Sequence, residues 1–233
     1  MAYESLTTGN RSALKRFSHK KRFEIARELL QIKPGEKILD YGTGDGYMLP
    51  LLSEAGAITC GFEPDPGLAG QAISRLHGYP EIVIVGDVSA LQANSFDKIC
   101  CLEVMEHLPE PILIEALSQM RRILKVGGVC VISVPIETGF AGLAKNIVRL
   151  MLRQTHQKTT LALLWRIFFG LKIERESGVP YISSHVGFNY QELESVFSAH
   201  GWKMESRKFS PLPLLKSALN SQVFFVLKPI VSL

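Results

Sequence analysis

At 233 residues the chain has room for one large domain with an insertion, and not for two full enzymes. Its 46% hydrophobic and 21% charged residues are those of a globular protein with a real core, which excludes disordered, collagen-like and disulfide-scaffold proteins. The net charge of +4 is unevenly spread: Arg11 to Phe23 and Thr138 to Ile173 each carry six Lys/Arg and no acid, leaving the remainder at −8.

In chain order, Met1 to Asn10 lacks the charged-then-apolar layout of a signal peptide, and no apolar run reaches the roughly 18 residues of a membrane span, so a cytoplasmic protein is expected. The basic stretch that follows is expected in an N-terminal helical cap, residues 1–32, which closes over a ligand or attracts phosphate. Pro34-Gly35 then breaks the chain, and short β-rich runs alternate with helical stretches. Strands are expected at Lys37 to Tyr41, Ile58 to Glu63, Ile82 to Gly86, Phe96 to Leu102 and Val129 to Val134. Helices fit at Tyr47 to Glu54, Gly67 to Leu76 and Ile112 to Leu124, the last stopped by Lys125 and Gly127-Gly128. More than fifty residues separate the fifth strand from the next helix, too long for a plain loop, so residues 138–184 are expected to form a helical lid insertion. A helix at Tyr190 to His200 and strands at Trp202 to Phe209 and Gln222 to Lys228 complete a single domain spanning 1–233. The alternation predicts an α/β fold, a Rossmann-like doubly wound sheet with helices on both faces. Cys60, Cys100, Cys101 and Cys130 lack metal-site spacing and read as buried reduced thiols.

The chemistry concentrates where strands end. The first strand runs Ile38-Leu39-Asp40 into Tyr41-Gly42-Thr43-Gly44-Asp45-Gly46, a turn in which glycine takes φ > 0 and a ligand can approach bare backbone. Tyr47 stands where a dinucleotide fingerprint needs its third glycine, and Asp40 and Asp45 would place carboxylates where a pyrophosphate should sit. The electrostatics therefore point to a cationic ligand such as S-adenosylmethionine (SAM), which carries an ammonium and a sulfonium and no phosphate. Glu63, twenty-one residues after Gly42 and at a strand end, suits ribose hydroxyls. Asp87 after the third strand suits an adenine amino group, with Val88 against the ring. A solvated surface acid is the bland reading of each alone, and three at successive strand ends beside a Gly-rich turn are hard to explain that way.

From about Lys33 to Val134 the chain resembles the class I SAM-dependent methyltransferases, with ILDYGTGDG, the acid of GFEPD, GDVSAL, FDKICCLEVMEHLPEP and RILKVGGVCVISVP in the family's order. The resemblance implies a seven-stranded sheet with the last strand antiparallel and SAM (S-adenosylhomocysteine after transfer) over the carboxyl ends of the first strands. By position it implies Asp40, Gly42, Gly44 and Gly46 at the methionine end, Glu63 at the ribose, Asp87 and Val88 at the adenine, and Leu102 and Glu103 as the floor. The Glu-x-x-Glu-His-Leu run at Glu103 to Leu108 is most similar to the small-molecule and ubiquinone-type O-methyltransferases. The N/D-P-P-Y/F and Pro-Cys motifs of DNA base methyltransferases are absent from that position, so DNA is excluded as a partner.

His107 is the leading candidate base for a hydroxyl acceptor, because imidazole titrates near neutral pH; capping the next helix or bonding Glu103 is its structural rival. His185 is a second candidate base. Glu103, Glu106, His107 and His185 could instead converge on a divalent cation, as a similar cluster does in small-RNA 2′-O-methyltransferases, but no metal is assigned to them here. Lys145, Arg149 and Arg153 recur every four residues, and Leu161 to Leu171 sets Trp165, Phe168 and Phe169 around Arg166. Residues 143–171 are thus read either as a lid over the pocket or as a lid that also contacts a membrane at its inner face, with a small-molecule or lipid-linked acceptor. The expected reaction is methyl transfer from SAM to oxygen, ahead of nitrogen or carbon. RNA 2′-O-methylation and a non-catalytic SAM-binding membrane-peripheral module are the rivals.

Overall fold

The computed structural model describes residues 13–151, 160–176, 178–212, 217 and 220–230, with side chains from residue 20 onward except 148 and 149. The first twelve residues of the expected N-terminal cap, and Arg153 of the expected basic stripe, lie outside these. Seven strands form one sheet: β1 (Lys37–Tyr41), β2 (Ile58–Phe62), β3 (Val83–Val85), β4 (Phe96–Leu102), β5 (Leu124–Pro135), β6 (Trp202–Ser210) and β7 (Gln222–Pro229). Their order is β3-β2-β1-β4-β5-β7-β6, and β7 runs antiparallel to both neighbours while the first five are parallel. The chain winds outward from β1 in one direction, then starts again from β4 in the other. Between β1 and β4 the connections therefore leave toward opposite sides and open a crevice at the carboxyl ends of the strands.

Strand periodicity decides which helices cover which face. Ile99 and Cys101 of β4, Cys130, Ile132 and Val134 of β5, and Val223, Phe225 and Leu227 of β7 point to one side, against α4 (Glu110–Ile123) and α7 (Tyr190–Ala199). Cys100, Val131 and Phe224 point to the other, against α1 (Ala13–Leu30) and α2 (Met48–Ser53). A third helix, α3 (Pro66–Arg75), begins behind Asp65, whose side chain accepts from Leu68 N and caps it. The cysteines are free thiols, three of them buried, and burial pushes their pKa values up.

The end of α4 differs from the sequence expectation. The helix stops at Ile123 and β5 starts at once at Leu124, pairing with Phe96, so Gly127-Gly128 lie inside a strand and do not stop a helix. Gly127 takes φ +78, the register slips between Phe96 and Lys98, and a Cβ on Gly128 would sit 2.9 Å from the Asp97 carbonyl. The two glycines make an irregularity that a local pattern reads equally well as a helix end. The insertion contributes α5 (Gly139–Met151) and α6 (Leu161–Phe169), the latter capped by Thr160 and ended by Gly170 in the left-handed conformation. Among the described residues no helix is long and apolar enough to cross a membrane.

Phe225 is fully buried and meets Phe197 edge to face at 5.5 Å, so it joins the antiparallel strand to α7. Phe225→Ala should cost about 3–5 kcal/mol, read as a lowered urea midpoint with the slope unchanged.

Candidate functional site

The Gly-rich loop sits where the winding reverses. Gly42, Gly44 and Gly46 all have positive φ, and the amides of Gly42 and Thr43 both bond the Phe62 carbonyl of β2 at 2.9 and 3.0 Å. On its other side the loop abuts the turn after β4: a Cβ on Gly42 would lie 2.6 Å from a methyl of Val104. No side chain fits there, so a glycine is required both for φ and for space. The loop and the Glu103-to-His107 turn are thereby held together.

The strand-end acids have different surroundings. Asp40 is buried, accepts a 2.6 Å hydrogen bond from the Thr43 hydroxyl, and has its pKa pushed up to about 7, chiefly by burial and further by the nearby Glu63 carboxylate, with the Thr43 bond opposing. Glu63 is buried and accepts from Gly44 N at 2.8 Å and Asp65 N at 3.0 Å, so it braces the Gly-rich loop from below. Burial pushes its pKa up against those two bonds, and each carboxylate oxygen keeps a second lone pair. Asp87 is exposed, with Ser89 donating to it from both amide and hydroxyl, which hold its carboxyl low; Val88 is half-buried beside it. Asp45 departs from the sequence expectation. It is buried, but it pairs with Arg75 of α3 at 2.9 Å and so points into the scaffold instead of toward a ligand. Nothing in the local sequence signals that, because Arg75 lies thirty residues on.

Leu102 ends β4 half-buried, and Glu103 follows in the left-handed region at φ +55. A non-glycine residue there is strained, and three contacts hold it: its amide bonds the Ser133 carbonyl, its Oε1 accepts from the Ser133 hydroxyl at 3.2 Å, and its Oε2 meets Arg22 of α1 at 3.2 Å. Arg22 is buried, so the N-terminal helix is anchored at the floor of the crevice. Arg22 and Ser133 were missed in the sequence, where only a basic run was visible.

A second layer comes from the insertion. His107 closes a short 3₁₀ turn, and its amide and carbonyl are both used, the carbonyl accepting from Ile182 N at 2.8 Å. Its Nδ1 lies 2.7 Å from the Ile182 carbonyl, which can only accept, so Nδ1 carries the hydrogen and Nε2 of the neutral ring is bare. His185 Nε2 stands 3.2 Å from that Nε2, and Tyr181 stacks on the His107 ring at 4.6 Å. Burial lowers the His107 pKa, which favours this neutral form. The expected rivals, capping α4 or bonding Glu103, are replaced by the bond to Ile182. Arg175 fastens the same segment, donating to the carbonyls of Glu106 and Ser184 at 2.5 and 3.0 Å. Glu137, which sequence reading passed over, is buried 3.9 Å from His185 Nδ1 and bonded by Lys145 at 3.2 Å.

Of the four residues that could converge on a cation, the structure brings together Glu106, His107 and His185, whose donor atoms all lie within 4.8 Å of one another. Glu103 is drawn off by Arg22 and Ser133. Glu106 is fully buried, its carboxylate 3.9 Å from His107 Nε2 and without a hydrogen bond to another described residue, and burial holds its pKa well above the usual carboxylate range. A hollow of about 520 Å³ bordered by Arg121, Arg122 and Lys125 lies at the opposite, amino-terminal end of the strands, and its cations are already bonded to His200 O, Leu91 O, Val88 O and Asp97.

Residues 14–206 match the methyltransferase domain family. The chain belongs to that family, the SAM-dependent methyltransferases. A ubiquinone biosynthesis O-methyltransferase of Xanthomonas oryzae pv. oryzae is 30% identical over 181 residues, 67% of this chain and 74% of that protein. Among solved structures, a SAM-dependent methyltransferase of Aquifex aeolicus superposes with a TM-score of 0.59 at 16% identity, covering 95% of this chain and 99% of that one. Magnesium protoporphyrin IX methyltransferase of Synechocystis, solved with bound S-adenosylhomocysteine, superposes at 0.59 with 12% identity over 94% and 88% of the two chains. These likenesses are of fold, and a [4+2]-cyclase shares it at 13% identity. The methyltransferase family uses SAM as its donor, and this crevice suits such a cationic ligand: it presents bare glycine backbone flanked by buried carboxylates.

Asp40 supplies a pH test. Its folded pKa lies above its unfolded value of 3.8, so stability falls as pH rises from about 4 through about 7. Asp40→Asn should match the parent's melting temperature near pH 4 and exceed it at pH 8, measured by calorimetry without ligand.

Proposed function

We propose that this methyltransferase moves the methyl group to an oxygen of a small-molecule or lipid-linked acceptor. What supports the reading is His107, whose Nδ1 lies 2.7 Å from the Ile182 carbonyl, leaving Nε2 as the acceptor of the neutral ring, in the turn that packs on Gly42 through Val104. A hydroxyl is a poor nucleophile until its proton has a place to go, and an imidazole so fixed can take it. The name of the Xanthomonas relative, an O-methyltransferase, supports the same atom.

SAM bound in the crevice supplies a methyl group on a sulfonium whose positive charge is lost on transfer. Asp40 at the loop is read as the partner of its methionine end, with Gly42, Gly44 and Gly46 giving backbone access. Glu63 is read at the ribose hydroxyls, Asp87 with Val88 at the adenine, and Leu102 with Glu103 as the floor. The acceptor oxygen forms the new O–C bond as the S–C bond breaks, and its proton passes to His107 Nε2. In the structure His185 occupies that nitrogen, so an incoming hydroxyl would take its place as donor. Ile182 and Tyr181 orient the imidazole, and Arg175 ties the segment that carries them to the Glu106 carbonyl.

One observation favours a second reading. The buried Glu106 carboxylate beside two imidazole nitrogens suits a divalent cation that would orient the acceptor oxygen. Loss of turnover in a chelator, restored by added Mg²⁺, Mn²⁺ or Zn²⁺, would select it over an unaided His107.

The deciding experiment incubates the protein with methyl-labelled SAM and a cell extract, then counts label in organic-soluble, small polar, protein and RNA fractions. Label in the first two fits the proposal, and label in RNA overturns it in favour of 2′-O-methylation. Glu63→Ala should weaken SAM by about 1–3 kcal/mol in calorimetry, through lost charge-assisted hydrogen bonds and a loosened loop. His107→Ala should lower kcat roughly 10²- to 10⁴-fold with SAM affinity unchanged. Because the His107 pKa is lowered from 6.5, the rising limb of the parent's kcat/KM profile should fall below that pH.

A further inference from the structure

The insertion presents an apolar face that no other described part of the chain covers. In α6, Ile167 turns inward and is buried against α5 near Gly142, whereas Leu161, Trp165 and Phe169 point outward at 77%, 59% and 61% exposure. Trp165 lies flat on Phe169 at 5.4 Å, and Phe168 meets Phe169 edge-on at 5.0 Å, so the rings form one preassembled platform. Met151, at the end of α5, is 76% exposed as well. Were this segment only a lid, those rings would be the ones turned into the pocket, yet the side chains that reach the site come from 173–188. Exposed apolar surface of this kind calls for a partner.

Charge says which. Thr138 to Ile173 carries six Lys/Arg and no acid; among the described residues Arg166 and Lys172 are exposed beside the rings, Arg166 also donating to the Lys172 carbonyl, and the exposed acids Glu174 and Glu176 follow only after that segment. Lys145 is spent internally on Glu137 and on the carbonyls of Ile136 and Ser221, which corrects the expected Lys145, Arg149, Arg153 stripe and leaves Arg166 and Lys172 as the segment's exposed cations among the described residues. A second copy of the chain would bring the same positive face against itself across a twofold axis, which repels. An acidic partner with an apolar interior does not. At nine residues α6 is far too short to span a bilayer and is closed at both ends by Thr160 and Gly170, so it would lie along a surface.

We propose that the exposed face of α6, with the end of α5, docks flat on an anionic lipid bilayer, the rings at the acyl boundary and the basic side chains among the headgroups. The segment leads directly into Arg175, Tyr181, Ile182 and His185, so docking would set the mouth of the site against the membrane. The proposal does not depend on which atom is methylated.

The chain provides its own probe. It has two tryptophans, of which Trp202 is buried in the core and Trp165 stands on the proposed face. Added to the full-length protein, vesicles of equal phosphatidylcholine and phosphatidylglycerol should shift tryptophan emission to the blue and carry the protein into the pellet. Vesicles of phosphatidylcholine alone should bind at least about tenfold more weakly, and added salt should weaken the anionic case. Trp165→Ser with Phe169→Ser should abolish sedimentation while leaving the melting temperature and SAM affinity as in the parent. Arg166→Gln with Lys172→Gln should lose the anionic preference and keep the fold. The proposal is overturned if parent protein stays in the supernatant with unshifted emission, or if it binds both vesicle types equally. It is overturned too if the double serine variant pellets like the parent, or if the face proves to join two copies in sedimentation equilibrium or to bind RNA in place of lipid.

Discussion

The structure of the site depends on one steric fact: Gly42 and Val104 touch so closely that no side chain can stand between them. Gly42 follows β1 and Val104 follows β4, the two strands on either side of the point where the winding reverses. Their contact sets the separation of the Gly-rich loop from the Glu103-to-His107 turn. Glu103 is pushed into a left-handed backbone at that spot, and the strain is borne by Ser133 on β5 and by Arg22 on α1. The crevice, its floor and the N-terminal helix thus form one mechanical unit.

The second organising feature is the cost of buried carboxylates. Asp40, Glu63 and Glu106 all have their pKa values raised by burial, so the ligand-free fold carries negative groups that it would rather hold neutral. Asp45 is treated differently, because Arg75 neutralises it within the scaffold. Acids left short of counter-charge suit a cationic ligand, whereas Asp45 already has its counter-charge within the scaffold.

The insertion reaches the turn after β4 by chain continuity. From Gly139 it runs out through α5 and α6, then returns along 173–188 to clamp His107 through both backbone and ring. Glu137 at its start and His185 near its end come within 3.9 Å of each other, so the insertion's two roots meet beside His107. Whatever the outer face of α6 touches is therefore two short segments away from the imidazole.

The strand sequence, the doubly wound sheet and the glycine-acid signature were legible in the residues, because periodicity and strand-end motifs are local properties of the chain, whereas the antiparallel last strand was implied by the family resemblance alone. The identity of the family followed from the order of those motifs, and the match over residues 14–206 agrees. What locality could not supply was partner choice. That Asp45 belongs to Arg75, that Glu103 is withdrawn from the Glu106–His107–His185 cluster by Arg22, and that Lys145 turns inward to Glu137 all involve cations brought in from other elements. Gly127-Gly128 misled for a related reason: glycine marks a helix end and a strand irregularity alike, and only pairing across to Phe96 chose between them. The sequence by itself determined the fold and the chemistry on offer at each strand end. Tertiary structure decided which charges remain available to a ligand and which are consumed in holding the site together, since electrostatic pairing is set by distance in space and not by distance along the chain.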